Sequence, residues 1–94
     1  MLTVGLLTLQ LHIEHAHSLK EKRHVLRSLK DRLRKRFNVS VAEVDGQDTW
    51  QRSVVAVAMV SGDRQRVQDL LARVESEAER ILGGDLVGSE LEFS

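Results

Sequence analysis

Apolar residues recur with two different periods along the chain, and the order of these periods restricts the fold more than any other feature of the sequence. Residues 2–14 alternate apolar and polar side chains, which predicts a half-buried strand with a bulge or two-sided burial in its first half. An apolar stripe at helical spacing then runs from Leu19 to Phe37. Ser18 and Glu21 form an S-x-x-E capping box before this stripe, so we expect the helix to begin directly after Ser18.

The rest of the chain predicts two strands, a second helix and a weaker final strand. The three strands are expected at residues 37–45, 52–61 and 85–93. Asp45-Gly46 is a turn signal between the first two of them. Ser61 or Asp63 caps the second helix, and Gly83-Gly84 ends it.

The predicted order βαββαβ, connected by right-handed crossovers, is that of the ferredoxin-like sandwich. We therefore expect one domain over residues 1–94, an α+β fold with a four-stranded antiparallel sheet and two helices on one face. Because the run from Val54 to Val60 is continuously apolar, one set of its side chains must lie on the sheet face without helices. Uncovered apolar patches usually mark interaction surfaces, so we expect a homodimer through the helix-free sheet face.

The composition excludes several classes of protein and of site. The sequence contains no cysteine, so neither a disulfide framework nor a thiolate metal site or nucleophile is available, which fits a reducing compartment. The apolar start of the chain has no preceding Lys or Arg, unlike a secretory signal, and no segment approaches the roughly 20 apolar residues of a membrane span. We therefore expect a cytoplasmic protein without membrane association.

Positive charge is concentrated in the first predicted helix, although the whole chain has no net charge. Residues 20–36 hold nine of the 14 Lys and Arg residues but two of the 14 Asp and Glu residues, a local charge of +7 that leaves −7 for the remainder. At about 100° per residue, one flank of this helix carries a basic stripe about 20 Å long. Its members are Lys20, Arg23, Arg27, Lys30 and Arg34.

Repulsion within the basic stripe, summed over its like-charged neighbours, costs about 1–2 kcal/mol and requires an offset. One offset is internal, through ion pairs with acids of the second strand, the hairpin or the second helix. These acids are Glu43, Asp45, Asp48, Glu75, Glu77 and Glu79. The other offset is external, a polyanion such as RNA that lies along the stripe. The sequence predicts the stripe residues as candidate RNA-binding residues and leaves internal neutralisation open.

Two single residues have both a structural and a functional interpretation. Lys22 falls inside the apolar stripe of the helix, and a buried stem with the ammonium at Glu43 or Asp45 is favoured over a ligand role. Trp50 follows the hairpin turn and has the ring to stack a nucleic-acid base. Packing of Trp50 into the core, with only the indole edge in water, is favoured over stacking.

Constellations for metal binding and catalysis are weak. The segment HIEHAH supplies four potential ligands, His12, Glu14, His15 and His17. No established metal-ligand spacing is present, so we expect a solvated strand end and no metal site, while a metal- or small-ligand-binding regulator that uses the three histidines stays an alternative. No nucleophile elbow, P-loop or G-x-G-x-x-G occurs, and we expect neither catalysis nor a cofactor.

Three segments of the chain resemble the bacterial YlxP-like family, a domain of unknown function. They are Ser18–Arg23 (SLKEKR), Arg36–Asp45 (RFNVSVAEVD) and Asp48–Arg52 (DTWQR). The resemblance extends over nearly the whole chain and implies a ferredoxin-like fold, together with a genomic neighbourhood among translation-initiation and ribosome-maturation genes. It implies no established reaction and no catalytic residues. A non-enzymatic RNA- or ribosome-associated protein linked to translation is therefore the leading prediction, and a homo-oligomeric protein-interaction module that binds no nucleic acid is the alternative.

The matching segments also suggest a contact between the helix and the hairpin. Lys22 and Arg23 are expected to meet acids across this junction. The candidate acids are Glu43, Asp45 and Asp48. Part of the positive charge is then structural, and the outer members of the basic stripe remain for a partner.

Overall fold

The computed structural model describes all 94 residues and contains the strands and helices in the predicted order. The elements are β1 (Thr3–His12), α1 (Leu19–Arg36), β2 (Ser40–Asp45), β3 (Arg52–Ser61), α2 (Arg64–Leu82), a short 3-10 turn (Gly83–Asp85) and β4 (Leu86–Phe93). The four strands form one sheet in the order β2-β3-β1-β4, and all neighbouring strands are antiparallel. The fold is the ferredoxin-like sandwich, as the sequence predicts.

The core lies between one face of the sheet and the two helices. The sheet contributes alternate apolar side chains, which are Leu7, Leu9, Leu11, Ile13, Val41, Val55 and Val57. The helices contribute stripes at helical spacing, which are Leu26, Leu29 and Leu33 from α1 and Val67, Leu71, Val74 and Ala78 from α2. Because these two periods meet on a single face, both helices are fixed on the same side of the sheet.

The first half of β1 has a glycine beneath α2, which explains its reversed apolar pattern. A side chain at Gly5 would overlap the side chains of Val67 and Leu71, so α2 approaches the strand backbone closely here. Val4 and Leu6 therefore project to the other face. Of the two alternatives predicted for this half of the strand, the bulge is not found, because the register shift of β1 against β4 lies between Gln10 and Leu11. Two-sided burial is found in part, since Leu7 is buried under the helices and Leu6 is half-buried on the other face.

Helix caps fix where both helices begin. The Ser18 hydroxyl accepts a hydrogen bond from the Glu21 N–H at 3.1 Å, as predicted. The returning bond is displaced by one residue, because the Glu21 carboxylate accepts from the His17 N–H at 2.7 Å. Asp63, not Ser61, caps α2 by accepting from the Gln65 N–H at 3.0 Å.

The second strand begins later than predicted. Phe37 is the C-cap residue of α1 and is buried in the core, and its N–H donates to the Leu33 carbonyl at 2.9 Å. Residues 37–39 therefore end the helix and turn the chain before β2 begins at Ser40. The segment FNVSV has strand composition, with one aromatic and two β-branched residues, but the burial of Phe37 overrides that local preference.

A buried lysine ties α1 to the hairpin between β2 and β3. The Lys22 side chain is fully buried, and its ammonium donates to the Glu43 carboxylate at 3.0 Å, to the Gly46 carbonyl at 2.5 Å and to the Arg52 carbonyl at 3.3 Å. The same Glu43 oxygen accepts from the Ser53 hydroxyl at 2.6 Å. All three ammonium donors are thus satisfied, and the predicted structural role of Lys22 is confirmed.

The two helices are joined at their exposed edge by a second buried charge. The Glu77 side chain is one-tenth exposed. Its carboxylate accepts hydrogen bonds from Arg36 of α1 at 3.0 Å and from Nε and Nη2 of Arg80. Hydrogen bonding from Arg80 lowers the pKa of the Glu77 carboxyl, burial opposes this shift, and the charges of Arg36, Arg80 and Arg32 reinforce it. The pairing with Glu77 raises the pKa of Arg80.

The other face of the sheet carries no helix and is here called the helix-free face. Its central residues are half-buried and mostly small or apolar, namely Leu6, Thr8, Val54, Ala56 and Ala58. Val4 and Val60 are exposed at one end of this face, and Glu90 and Glu92 lie along its β4 edge. Within the apolar run of β3, the side chains at even-numbered positions, 54 to 60, therefore face away from the helices.

Loss of the buried ammonium should destabilise the fold strongly. Lys22→Met leaves the Glu43 carboxylate and two carbonyls without their donor, so we expect the free energy of unfolding to fall by about 3–5 kcal/mol. The matched control is Lys20→Met, two residues away and exposed, for which a change within about 0.5 kcal/mol is expected. Urea unfolding followed by circular dichroism measures both, and equal effects of the two substitutions would contradict the assigned role.

The Glu77 cluster should make stability depend on pH. Because the folded-state pKa lies below the ordinary value of 4.5, the carboxylate contributes stability that is complete above that value and is lost as the pH falls through the folded pKa. The difference in unfolding free energy between the wild type and Glu77→Gln should therefore shrink below about pH 4.5. Arg80→Gln removes the main cause of the shift and should weaken this dependence. A difference that stays constant from pH 7 to pH 3 would count against the cluster.

Candidate nucleic-acid interface

The basic stripe lies on the flank of α1 that faces away from α2. On the opposite flank, Arg36 reaches Glu77 of α2 at 3.0 Å. On the stripe side, Arg34 donates to the Val41 carbonyl at 2.6 Å, and Val41 belongs to β2, an edge strand of the sheet. The stripe therefore runs beside the outer edge of the sheet, in a position that a long ligand can reach.

The ammonium and guanidinium groups of the stripe have no acidic partners. No carboxylate oxygen lies within 4.0 Å of the charged nitrogens of any of its five members. Lys20, Arg23, Arg27 and Arg34 are exposed, and Lys30 is half-buried. Arg34 alone is engaged, through one nitrogen on a neutral carbonyl. The repulsion along the stripe is thus not offset by ion pairs within the molecule.

Of the three candidate acids on β2 and the hairpin, two have partners outside the stripe, and Asp48 forms no ion pair. Glu43 pairs with Lys22 at 3.0 Å, and Asp45 pairs with Arg52 at 3.2 Å. A hydrogen bond from the Gly46 N–H, followed by that from Arg52, lowers the pKa of the Asp45 carboxyl. Of the two contacts suggested across the helix–hairpin junction, only the one from Lys22 forms, because Lys22 points inward.

None of the three candidate acids of α2, Glu75, Glu77 and Glu79, forms an ion pair with the stripe. Glu77 binds Arg36 and Arg80, and Glu75 accepts from the Ser89 hydroxyl of β4. Both contacts lie on sides of α2 that do not face the stripe. Internal neutralisation, which the sequence left open, is therefore not the arrangement found.

Trp50 does not pack into the core, so the favoured interpretation was wrong. Its side chain is 54% exposed on the hairpin loop. The core is already closed at this end, because the Gln51 carbonyl accepts from the Ile13 N–H at 2.7 Å and the Gln51 side chain donates to the Glu14 carbonyl at 3.0 Å. Lys22 holds the same loop beneath the first turns of α1, so the loop that carries Trp50 lies at the end of the molecule where the stripe begins.

The histidine-rich segment does not converge. His15 Nδ1 lies 3.9 Å from a carboxylate oxygen of Asp85, whereas His12 ends β1 and His17 directly precedes the α1 cap. No group of three or more His, Asp or Glu side chains is arranged to hold a metal ion. A cleft beside this segment is lined by His15, Ser18 and His24. The Ser18 hydroxyl serves as the helix cap and makes no hydrogen bond to His15 or His24.

A second basic cluster was missed at the sequence level. Arg36, Arg73 and Arg80 meet at a cleft between α1 and α2, around Phe37 and Glu77. The pair Glu77–Arg80 at spacing three is a visible helical signal. The contribution of Arg36 depends on a contact between residues 41 positions apart, which helical spacing does not reveal.

Comparisons with known proteins agree with the fold and point to one family. The family model described as "Protein of unknown function (DUF503)" matches residues 4–90. The uncharacterized protein YlxP of Bacillus subtilis (strain 168) is 42% identical over 71 residues, which are 76% of this chain and 77% of YlxP. None of the helices is long and apolar enough to cross a bilayer.

Solved structures of the same fold include proteins of unrelated origin. The de novo designed protein Foldit4 aligns with a TM-score of 0.63 at 14% identity, covering 100% of this chain and 97% of that one. An antibiotic biosynthesis monooxygenase aligns with a TM-score of 0.51 at 15% identity, covering 100% and 96%. At these identities the likeness concerns the fold alone. From the match over residues 4–90 and the similarity to YlxP, the chain belongs to the DUF503 family of proteins of unknown function.

Proposed function

We propose that this chain is a non-enzymatic RNA-binding protein that docks the phosphate backbone along the basic stripe of α1 and associates with the ribosome or its assembly. The observation that carries the proposal is the stripe itself, which extends for about 20 Å without one carboxylate partner. A polyanion along this flank relieves the repulsion of about 1–2 kcal/mol that the fold leaves in place. Release of counterions from the nucleic acid adds to the driving force.

The proposed contact reads the backbone more than the bases. The central strands β1 and β3 carry no aromatic residue, so the stacking mode of sheet-based RNA-recognition modules is not available. Exposed Trp50, at the end where the stripe begins, supplies one surface on which a base can stack. We therefore expect the affinity for RNA to depend strongly on salt concentration and only weakly on the base sequence.

The link to the ribosome rests on the family resemblance, which implies a neighbourhood of translation-initiation and ribosome-maturation genes. The proposal that the protein is not an enzyme is supported by the hydrogen bonding of the polar side chains. No nucleophile–base hydrogen bond involves the serines or histidines beside the α1 cap, and the fold itself is shared by an enzyme and by a designed protein, so it does not decide the matter.

Charge reversal at two positions of the stripe should weaken RNA binding and reduce its dependence on salt. We expect a single-stranded RNA to bind the wild type with log K falling against log salt at a slope of about −3.5, for five neutralised phosphates. Arg27→Glu with Lys30→Glu removes two of these contacts, and the slope should become shallower by about 1.4. Fluorescence anisotropy of a labelled oligonucleotide, measured at several salt concentrations, gives both values.

A variant with the same net charge separates local contacts from global attraction. The control is Arg64→Glu with Arg66→Glu, two substitutions on α2 that change the net charge as much as the pair on α1 does. This control variant should keep most of the affinity for RNA. In co-sedimentation with ribosomes, the control variant should bind nearly as well as the wild type and the α1 variant should bind more weakly, and all binding should decrease at high salt. Equal losses in the two double variants, or binding that does not respond to salt, would remove the support for a site on α1.

Intrinsic fluorescence offers an independent test of the Trp50 contribution. The chain has one tryptophan and no tyrosine, so the emission reports this single position. Stacking of a base on the exposed ring should quench the emission on addition of RNA, and Trp50→Ala should weaken binding by about 1–3 kcal/mol. Unchanged emission at saturating RNA would exclude the indole from the interface and leave the phosphate contacts to be judged separately.

The helix-free face favours a second candidate function, a homo-oligomeric protein-interaction module that binds no nucleic acid. Half-buried Leu6, Ala56 and Ala58 form its centre, with exposed Val4 and Val60 beside them. In this proposal two copies bury these faces against each other, as sheets do when they pack face to face.

A charge placed at the centre of the helix-free face tests this second candidate. Sedimentation velocity should show a dimer for the wild type and a monomer for Ala58→Glu, because an unpaired carboxylate cannot be buried between two sheets. Gln47→Glu, in the exposed hairpin loop, is the matched control and should stay dimeric. A wild type that sediments as a monomer would rule out this interface at the concentration used.

A further inference from the structure

A cleft between the end of α1 and the middle of α2 gathers three arginines that the basic stripe does not include. Its volume is about 470 Å³, and it opens to solvent. Its charged and polar walls are formed by Arg36, Arg73, Ser76, Glu77 and Arg80, and Phe37 lies at its base. Pockets of this volume accommodate small ligands, and convergent polar groups within them fix a ligand's orientation.

Two of the three arginines are held in place by one carboxylate. Glu77 is one-tenth exposed, and it accepts from Arg36 Nη1 at 3.0 Å and from both Nε and Nη2 of Arg80. Each guanidinium has five N–H donors, so Arg36 and Arg80 keep most of theirs. Both side chains are more than half exposed, which leaves the remaining donors accessible to a ligand in the cleft.

The third arginine has no acidic partner. The Arg73 guanidinium lies 5.7 Å from the centre of the Phe37 ring, and the Arg36 guanidinium lies at the same distance from that ring. Because Phe37 is buried, the ring forms a fixed support that places these two arginines at one wall of the cleft. Arg73 therefore presents its full set of N–H donors.

The charges in the cleft do not balance. Three guanidinium groups face one carboxylate, which leaves a net charge of +2, and Arg32 lies close enough to act on Glu77 as well. Arginine forks match the geometry of phosphate oxygens and bind them in pairs. A phosphate monoester carries about −1.5 to −2 charges near neutral pH, whereas a phosphodiester carries one.

From this geometry we propose that the cleft of Arg36, Arg73 and Arg80 binds the dianionic phosphate group of a phosphate monoester, with Ser76 as a further donor. The monoester is either a free nucleotide or the 5′-phosphate end of an RNA chain, which present the same chemistry. The cleft lies on the flank of α1 opposite to the basic stripe, so the proposal is independent of phosphodiester binding along that stripe.

The test is a titration of the ¹⁵N-labelled protein with inorganic phosphate, followed by amide chemical shifts at constant ionic strength. Saturable shifts are expected around residues 36, 73, 76 and 80. Dimethyl phosphate, a monoanionic diester, should bind at least about tenfold more weakly, because it offers fewer charged acceptors to the arginine forks. Shifts that do not saturate, or that are equal for the two probes, would overturn the proposal.

Matched arginine variants show whether the cleft is the site. Arg73→Gln should weaken phosphate binding by about tenfold or more. Arg64→Gln is the control, because Arg64 lies on the same helix with its guanidinium 4.8 Å from the Phe93 ring and outside the cleft, and it should leave the affinity unchanged. Neither arginine pairs with Glu77, so both variants keep the contact between the helices. Equal effects of the two substitutions would contradict the assignment.

Two further probes distinguish the source of the phosphate group. A nucleoside 5′-monophosphate that binds through the cleft supports a small-molecule ligand. A 5′-phosphorylated oligonucleotide that shifts the cleft amides, when the same oligonucleotide with a 5′-hydroxyl does not, supports the end of an RNA chain. If neither phosphorylated probe shifts the cleft amides, the cleft is not a monoester site, whatever the outcome for the basic stripe.

Discussion

The buried ammonium of Lys22 is the interaction on which the arrangement of the rest depends. It joins the first turns of α1 to Glu43 and to two carbonyls of the β2–β3 hairpin, and it does so with all three of its donors. Burial of an unpaired charge is strongly unfavourable, so this contact fixes the rotation of the helix about its axis. With Lys22 directed inward, the basic stripe is necessarily directed outward, beside the edge of the sheet.

The acids and bases of this neutral chain are therefore divided by position. Glu43, Asp45 and Glu77 are used in contacts that hold the hairpin and the two helices together. The stripe receives none of them and keeps its charge in water. The cleft of Arg36, Arg73 and Arg80 differs from the stripe, because Glu77 orders its arginines but compensates only part of their charge. The proposed ligands differ accordingly, with a long strand of single negative charges for the stripe and a compact dianion for the cleft.

The sequence predicted most of the fold because its local signals agree with one another. Two periods of apolar residues, the cap at Ser18 and the turn at Gly46 all specify the same topology. Lys22 was recognisable because a charge stood within an apolar stripe. The prediction that Trp50 packs into the core was wrong because its environment depends on how Gln51 and Ile13 close the core, which is a tertiary contact. The arginine cleft was missed for the same reason, since Arg36 and Glu77 meet only after the helices pack.

We propose that the outward arginines of α1, which have no acidic partners in the folded protein, bind the phosphates of an RNA. The most direct measurement follows the arginine Nε–H signals in ¹⁵N spectra during titration with a single-stranded RNA that carries a 5′-hydroxyl. Saturable shifts are expected for Arg23 and Arg27, which have no acidic partner, and no shift is expected for Arg64, which lies on α2 with its guanidinium over the Phe93 ring. Unchanged signals from Arg23 and Arg27 at saturating RNA, with shifts confined to other parts of the molecule, would contradict the proposal.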